Sequence, residues 1–408
     1  MTNRFIVAVA AILSCAGSTI AQAPEAPPPD VPRVAAAPSA LSGFLPARFE
    51  TGGRGQFWAT GDYLFTFVRG SNLPALVTTS VAGTPQTSAG ILGADGTSTL
   101  FGGTVNDGLR AGFRLGAGYW FNPEKTLGIE TGFMMTESRS ALFSASSNDG
   151  TILARPFINA NSGVPKAVLV AFPGSSDGSI DVRANSGNFY SFHLDLCETA
   201  YDVGWFRLTS LFGYRFYRYD EAIRIGQVIN TKSTNIFPFP VGTQIVDNDN
   251  FNTRNTFHGL DMGFRSQFFW NNFSLEVLTK LAFGRLNRTF TIAGDQTATA
   301  PDATTATQTV GVLAASSNSG TLTSSDWRAM PEVGATLNWQ IRSNVNVRFG
   351  YSFLYMNGVA RAADQIDTTV NPNLFPGKSG LGVARPAANR TRSDLWIQAA
   401  NLGLQFSY

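Results

Sequence analysis

Charge is scarce in this sequence: only 14% of its 408 residues are Asp, Glu, Lys or Arg, where a soluble protein carries about a quarter. A surface of this size is short of charge for water, so part of it must face something else. Lipid is the candidate. Yet beyond the N-terminus no run approaches the roughly 18 apolar residues that a spanning helix needs, because Gly, Ser, Thr, Asn or a charge interrupts every stretch. That excludes a multi-pass helical membrane protein. Net charge is only +2, which excludes a generally basic nucleic-acid binder and an acidic disordered tail. With two histidines and two cysteines, no His/Cys/Asp cluster stands at metal-ligand spacing. No phosphate loop, nucleophile elbow or dinucleotide fingerprint sits between a strand and a helix. The expectation is therefore no metal, no cofactor and no catalytic residue.

Residues 1–21 read as a secretory signal, with Arg4 ahead of the apolar stretch Phe5 to Leu13 and small residues Thr19 and Ala21 at the cut. A rival reading is lipidation at Cys15, behind Ile12-Leu13-Ser14; either route exports the chain. Cleavage after Ala21 leaves Cys197 as the only cysteine, so no intramolecular disulfide stabilises the exported protein. Residues 22–54 are rich in Ala and Pro and read as an extended periplasmic linker. Residues 55–408 read as one domain.

What the domain has in quantity is Gly (41) and Phe (32), with abundant Thr, Ser and Asn, a mixture that favours strands and turns. Its dominant pattern is alternation with a period of two. Ala111, Phe113, Leu115, Ala117, Tyr119 and Phe121 share one face, and Arg110, Gly112, Arg114, Gly116, Gly118 and Trp120 the other. A turn at Asn122 to Lys125 leads into a second such strand, Leu127 to Thr136. The pattern recurs in strands about 190–197, 206–216, 260–268, 273–283, 332–339 and 345–353, with single strands about Phe57 to Val68 and Asp394 to Tyr408 at the ends. Connections alternate between short turns and long segments, the long ones at about 69–109, 138–187, 221–253, 292–326 and 360–392. That alternation predicts an all-β fold: a single antiparallel, up-and-down transmembrane β-barrel of ten strands, or twelve if a loop contains another hairpin, with short periplasmic turns and long extracellular loops.

Trp58, Trp120, Trp205, Trp270 and Trp339 fall next to short turns or the N-terminus, while Trp327 and Trp396 begin strands that leave long loops. All seven are expected to form aromatic girdles at the two membrane interfaces. Gly112 to Gly118 is expected to relieve crowding on the inner wall of a small barrel. Parity places twelve charged residues inside: Asp62, Arg114, Glu130, Asp195, Arg207, Arg215, Asp261, Arg265, Glu276, Lys280, Glu332 and Arg348. Six are acidic and six basic, which predicts a paired internal network, because an unpaired buried charge is costly; the other reading is an ion-selective constriction. His193 and Asp195 share the inward face, and His258 lies on the opposite face from Asp261; both histidines read as wall residues.

The last residues place Asn401, Gly403, Phe406 and Tyr408 in a pattern that resembles the C-terminal signal read by the barrel-insertion machinery of bacterial outer membranes. The chain from about 55 to 408 also resembles the planctomycete outer-membrane β-barrel family called beta barrel porin 7. The likeness rests on Gly70 to Ser80 (GSNLPALVTTS), Arg110 to Glu130 (RAGFRLGAGYWFNPEKTLGIE), Thr253 to Gly259 (TRNTFHG), Pro331 to Ile341 (PEVGATLNWQI) and Asp364 to Asn373 (DQIDTTVNPN). The resemblance implies an outer-membrane barrel in contact with lipid, and no catalytic residue is carried over from it. Two functions follow as expectations. One is passive passage of small hydrophilic solutes past the inward charges. The other is a non-conducting barrel whose extracellular loops bind a partner.

Overall fold

The computed structural model describes residues 56–148, 150–236, 239–375 and 380–408. The expected signal and linker, at 1–21 and 22–54, lie outside the described residues. Ten strands form the wall: β1 (Phe57–Val68), β2 (Leu109–Trp120), β3 (Leu127–Thr136), β4 (Ser176–Asp202), β5 (Phe206–Thr231), β6 (Gln244–Trp270), β7 (Phe273–Thr299), β8 (Gly320–Arg342), β9 (Val345–Val359) and β10 (Ser393–Ser407). Each pairs antiparallel with its neighbours in sequence order. β1 also pairs with β10, Asp62 opposite Gly403, so the ring closes. Strands Arg139–Ser147 and Thr305–Gln308 attach to the same sheet, but the closed ring has ten members rather than twelve. No helix among the described residues is long and apolar enough to cross a membrane.

Three expected loops are in large part wall. β4, β5, β6 and β7 run 26 or 27 residues each and β8 runs 23, whereas a tilted strand crosses a bilayer in about 9–11. Residues 176–187, 221–231, 244–253, 292–299 and 320–326 therefore stand as strand above the membrane. The alternation continues through them with its faces exchanged. On β5, Phe212 and Tyr214 point outward and Arg215 inward; farther up, Tyr217, Tyr219, Ile223, Ile225 and Ile229 turn inward, none more than 3% exposed, while Arg218 and Arg224 face out. The pairing of β5 with β6 runs from Phe206↔Phe268 to Asn230↔Gln244 without a register shift. Geometry is thus constant and only the surroundings change: lipid outside the lower half, water outside the upper half. An apolar face follows whichever side excludes water. On β7 the exchange falls between Phe283, outward, and Arg285, outward and exposed.

The upper half is filled. Strands Ser71–Ser80, Thr97–Val105, Leu153–Asn159, Pro165–Ala171 and Thr369–Val370, drawn from three connections, make a second sheet. This cap packs Leu73, Leu76, Val77, Leu153, Val170 and Val370 against Ile180, Ile223, Ile225, Ile245, Phe251 and Ile292 of the wall in one core. Each such side chain contributes roughly 1.5–3 kcal/mol relative to exposure.

Trp205, Trp270, Trp327 and Trp339 face outward and are 41–64% exposed, as the girdle requires. Trp120 does not. It is buried with Cys197 and Leu211, and Trp58 packs against the same cluster inside the barrel. These two tryptophans lie on the inward parity of their strands, and the glycines opposite leave space for them. A Cβ at Gly118 would fall 2.6 Å from Trp58 Nε1.

Candidate functional site: the barrel lumen and its cap

Within the lower barrel lies a cavity of about 230 Å³, lined by Arg114, Glu130, His193, Arg207, Arg215, Arg265, Glu276, Lys280, Glu332 and Arg348 among others. Asp62, Asp195 and Asp261 point to the same interior but are buried, at most 3% exposed. The inward residues meet across the lumen as well as along its wall. Arg265 of β6 donates to Glu130 of β3 (2.6 Å), and Lys280 of β7 reaches Asp195 of β4 and, at 3.2 Å, Asp261. Arg215 of β5 bridges Asp261 at 2.8 Å and Glu332 of β8 at 2.9 Å. In each cross-lumen pair, Glu130–Arg265, Asp195–Lys280 and Arg215–Glu332, the partners stand three strands apart. Glu276 stands 3.6 Å from Arg265, and Arg348 3.3 Å from Asp62. Arg207 turns instead to Asp202 at the periplasmic turn, 2.7 Å away. Arg114 donates to Ser352 on β9 at 2.8 Å.

Register assembles one group that linear spacing hid. Glu130 faces Asp195 across the β3–β4 ladder and Gly132 faces His193. The His193, Glu130 and Asp195 ligand atoms all lie within 4.8 Å of one another. This corrects the expectation that no such cluster exists, which rested on positions along the chain and not between strands. Gly132 is part of the reason: a Cβ there would sit 2.8 Å from His193 Nε2. The carboxylates already have cations, Arg265 on Glu130 and Lys280 on Asp195. A divalent ion would have to displace both, so the chemistry of the group is that of an ion-pair network. His258 faces outward, where its Nδ1 is 2.6 Å from the Tyr214 hydroxyl.

Two further polar clusters lie where the sequence suggested loops, and they join cap to wall. Glu221 of β5 accepts from Arg361 Nε (2.9 Å), Ala362 N (2.9 Å), Ser71 Oγ (3.0 Å) and the Tyr219 hydroxyl (2.9 Å). Burial alone would raise the Glu221 carboxyl; the Arg361 guanidinium and these hydrogen bonds outweigh it and hold it below the ordinary carboxylate value. The second cluster is Arg155 of the cap with Asp247 and Asp249 of β6. Asp249 Oδ1 also accepts from the Leu313 and Ala314 amides at 3.0 and 2.7 Å. One guanidinium faces two buried carboxyls, so burial and then the Asp249 charge push the Asp247 carboxyl above its ordinary value.

That shift has a measurable sign. Between the ordinary carboxyl value and the raised one, the folded chain keeps a proton that the unfolded chain has released, so stability falls as pH rises through that window. Asp247→Asn, neutral throughout, is expected to flatten this slope and to raise the unfolding midpoint by a few degrees at mildly alkaline pH, with little change near pH ~4, below the window. Thermal melts of both proteins across that range check it; an unchanged slope in the variant contradicts it.

Of the residues expected to guide insertion, Asn401 is buried and inward. Gly403 lies opposite both Asp62 and Arg348, where the absence of a side chain leaves room for that pair. Phe406 and Tyr408 are exposed on the outer face, and the Tyr408 amide donates to the Phe57 carbonyl at 2.8 Å, fastening β10 to β1.

A closed ring of ten antiparallel strands, apolar toward lipid and charged within, agrees with what sequence comparison finds: residues 58–408 match the family described as beta barrel porin-7, BBP7. The chain belongs to the beta barrel porin-7 family. No curated protein matches it in sequence. Among solved structures it is similar to the outer-membrane protease OmpT of Escherichia coli, at 11% identity and TM-score 0.42, with 86% of this chain and 96% of that one covered. It is also similar to Ail, the attachment invasion locus protein of Yersinia pestis, at 9% identity and TM-score 0.22, covering 87% and 99%. A third is a mutant of the monoaromatic hydrocarbon channel TodX, at 8% identity and TM-score 0.23, covering 90% and 93%. At these values the likenesses carry no argument about activity. The BBP7 chain is a porin-like outer-membrane β-barrel.

Proposed function

We propose that this BBP7 barrel is a closed outer-membrane anchor, without catalytic activity, that holds a rigid extracellular column for interaction at the cell surface. The observation that carries this reading is the cap core: cap residues such as Leu76, Val77 and Leu153 are at most 1% exposed against the inner face of the upper wall. A path for hydrophilic solutes would have to cross that apolar core. The pairs Glu130–Arg265, Asp195–Lys280 and Arg215–Glu332 cross the lower lumen as well. A second reading, passage of small hydrophilic solutes, is favoured by the charged cavity that runs from these pairs to the short-turn end of the barrel, and requires the cap to leave. Swelling of proteoliposomes in an isotonic pentose solution tests the choice. The closed barrel gives no swelling above protein-free vesicles, whereas porin-like swelling with the full chain contradicts it.

A further inference from the structure

The wall is not hydrogen-bonded all the way up. β8 leaves β9 at Glu332↔Leu354, continuing alone with β7 to Gly320, while β9 continues with β10 to Val359↔Ser393. Into this seam the chain places three guanidiniums and one carboxylate. Asp326 accepts from Arg288 at 2.8 Å, Arg328 at 2.7 Å and Arg392 at 2.7 Å. Room for them comes from Gly358, where a Cβ would fall 2.9 Å from Arg328 Cζ. Arg288 is fully buried, and its Nη1 has no acceptor, while Arg328 and Arg392 remain about a quarter to a third exposed. Exposed Arg285 lies beside Trp327 across the β7–β8 ladder, adding a fourth cation. Two carboxylates, Asp326 and, near Arg328, Asp394, do not balance four guanidiniums.

The depth of this cluster is set independently. Trp327 is 64% exposed and stacks on outward Phe283, ring centroids 5.3 Å apart. Below that pair the outer face is apolar; above it stand Asn287 and Thr289 of β7 and Ser325 and Thr323 of β8. A tryptophan at such a transition marks the headgroup level. Arg285 stands on the outer face at that level, while Arg328 and Arg392, partly exposed, line the gap between β8 and β9; this is the layer where lipid phosphates lie, and guanidinium pairs with phosphate through two parallel hydrogen bonds.

We infer that the β8–β9 seam binds the phosphate of an anionic lipid in the outer leaflet, with Arg285, Arg328 and Arg392 as its donors and Trp327 against the lipid's apolar portion. Asp326 holds the guanidiniums in place in the absence of the headgroup and leaves their remaining N–H groups free to donate.

Native mass spectrometry of the full chain in a neutral detergent, with phosphatidic acid, phosphatidylcholine or inorganic phosphate added, tests this. The folded barrel retains phosphatidic acid in preference to phosphatidylcholine. Arg285→Gln with Arg392→Gln lowers that retention by at least about tenfold, from the loss of two near-surface cations, while Arg218→Gln with Arg254→Gln leaves it unchanged. Arg285→Glu, whose site is exposed and away from Asp326, serves if the double variant does not fold, as judged by its heat-modifiable band. Equal retention of the two lipids, unchanged retention in the seam variants, or displacement of the lipid by an equal concentration of inorganic phosphate overturns the inference.

Discussion

Replacing Lys280 by Met is expected to destabilise the barrel by about 3–5 kcal/mol, the usual cost of leaving a buried charge without its partner. Lys280 stands between Asp195 and Asp261, which are 0% and 1% exposed. Asp261 would keep Arg215, but among the described residues Asp195 would keep no ion pair closer than His193 at 4.0 Å. The double change Lys280→Met with Asp195→Leu removes both members of that pair and is expected to recover most of the loss, since apolar residues can replace a buried ion pair at little cost. Urea-dependent unfolding in detergent micelles, followed by tryptophan fluorescence and the heat-modifiable band, measures both. A single variant within about 1 kcal/mol of wild type would mean that water hydrates the lumen and the pair is worth no more than a surface one.

Glu221→Ala should release the cap. Four donors from the 360–362 segment, the 71–80 strand and β5 converge on that one carboxylate, and without it Arg361, 3% exposed, is a buried cation with only a carbonyl and a hydroxyl to bond. The expected loss is again about 3–5 kcal/mol, confined to the docking of the cap because the lower wall does not touch this cluster. Limited proteolysis of proteoliposomes should then cut within 71–105 and 153–171 while the membrane-embedded strands stay protected. Cap strands as resistant as in wild type would show that the apolar core alone holds them.

Parity made the lower barrel legible. Phe113, Leu115 and Tyr119 against Arg114, Gly116 and Gly118 fix both a strand and its facing, because lipid on one side and a narrow lumen on the other select opposite chemistry at each step. The upper half was hidden by the same rule. Ile223, Ile225 and Ile229 alternate with Arg224 and Val228, but the apolar side had moved inward, and a reading that looks for an outward apolar stripe ends the strand near Phe216. Continuity of parity through the change was the available signal. The cap itself was less accessible, since Leu153–Asn159 pairs with Ser71–Ser80 and Thr369–Val370, partners from three separate connections. Nor could spacing along the chain show that Glu130, Asp195 and His193 converge, because inter-strand register brings them together. Trp58 and Trp120 could have been placed inside from parity alone, had proximity to the turns not suggested a girdle.

Closure of the barrel is tested most directly by single-channel recording of the full chain in a planar bilayer, beside a variant lacking the 71–105 and 153–171 cap segments and carrying Lys280→Met with Asp195→Leu. The account predicts no conductance steps from the wild-type protein after insertion is confirmed, and steps from the variant in which cap and cross-lumen pair are both removed. Regular open steps from the intact wild-type chain would contradict it.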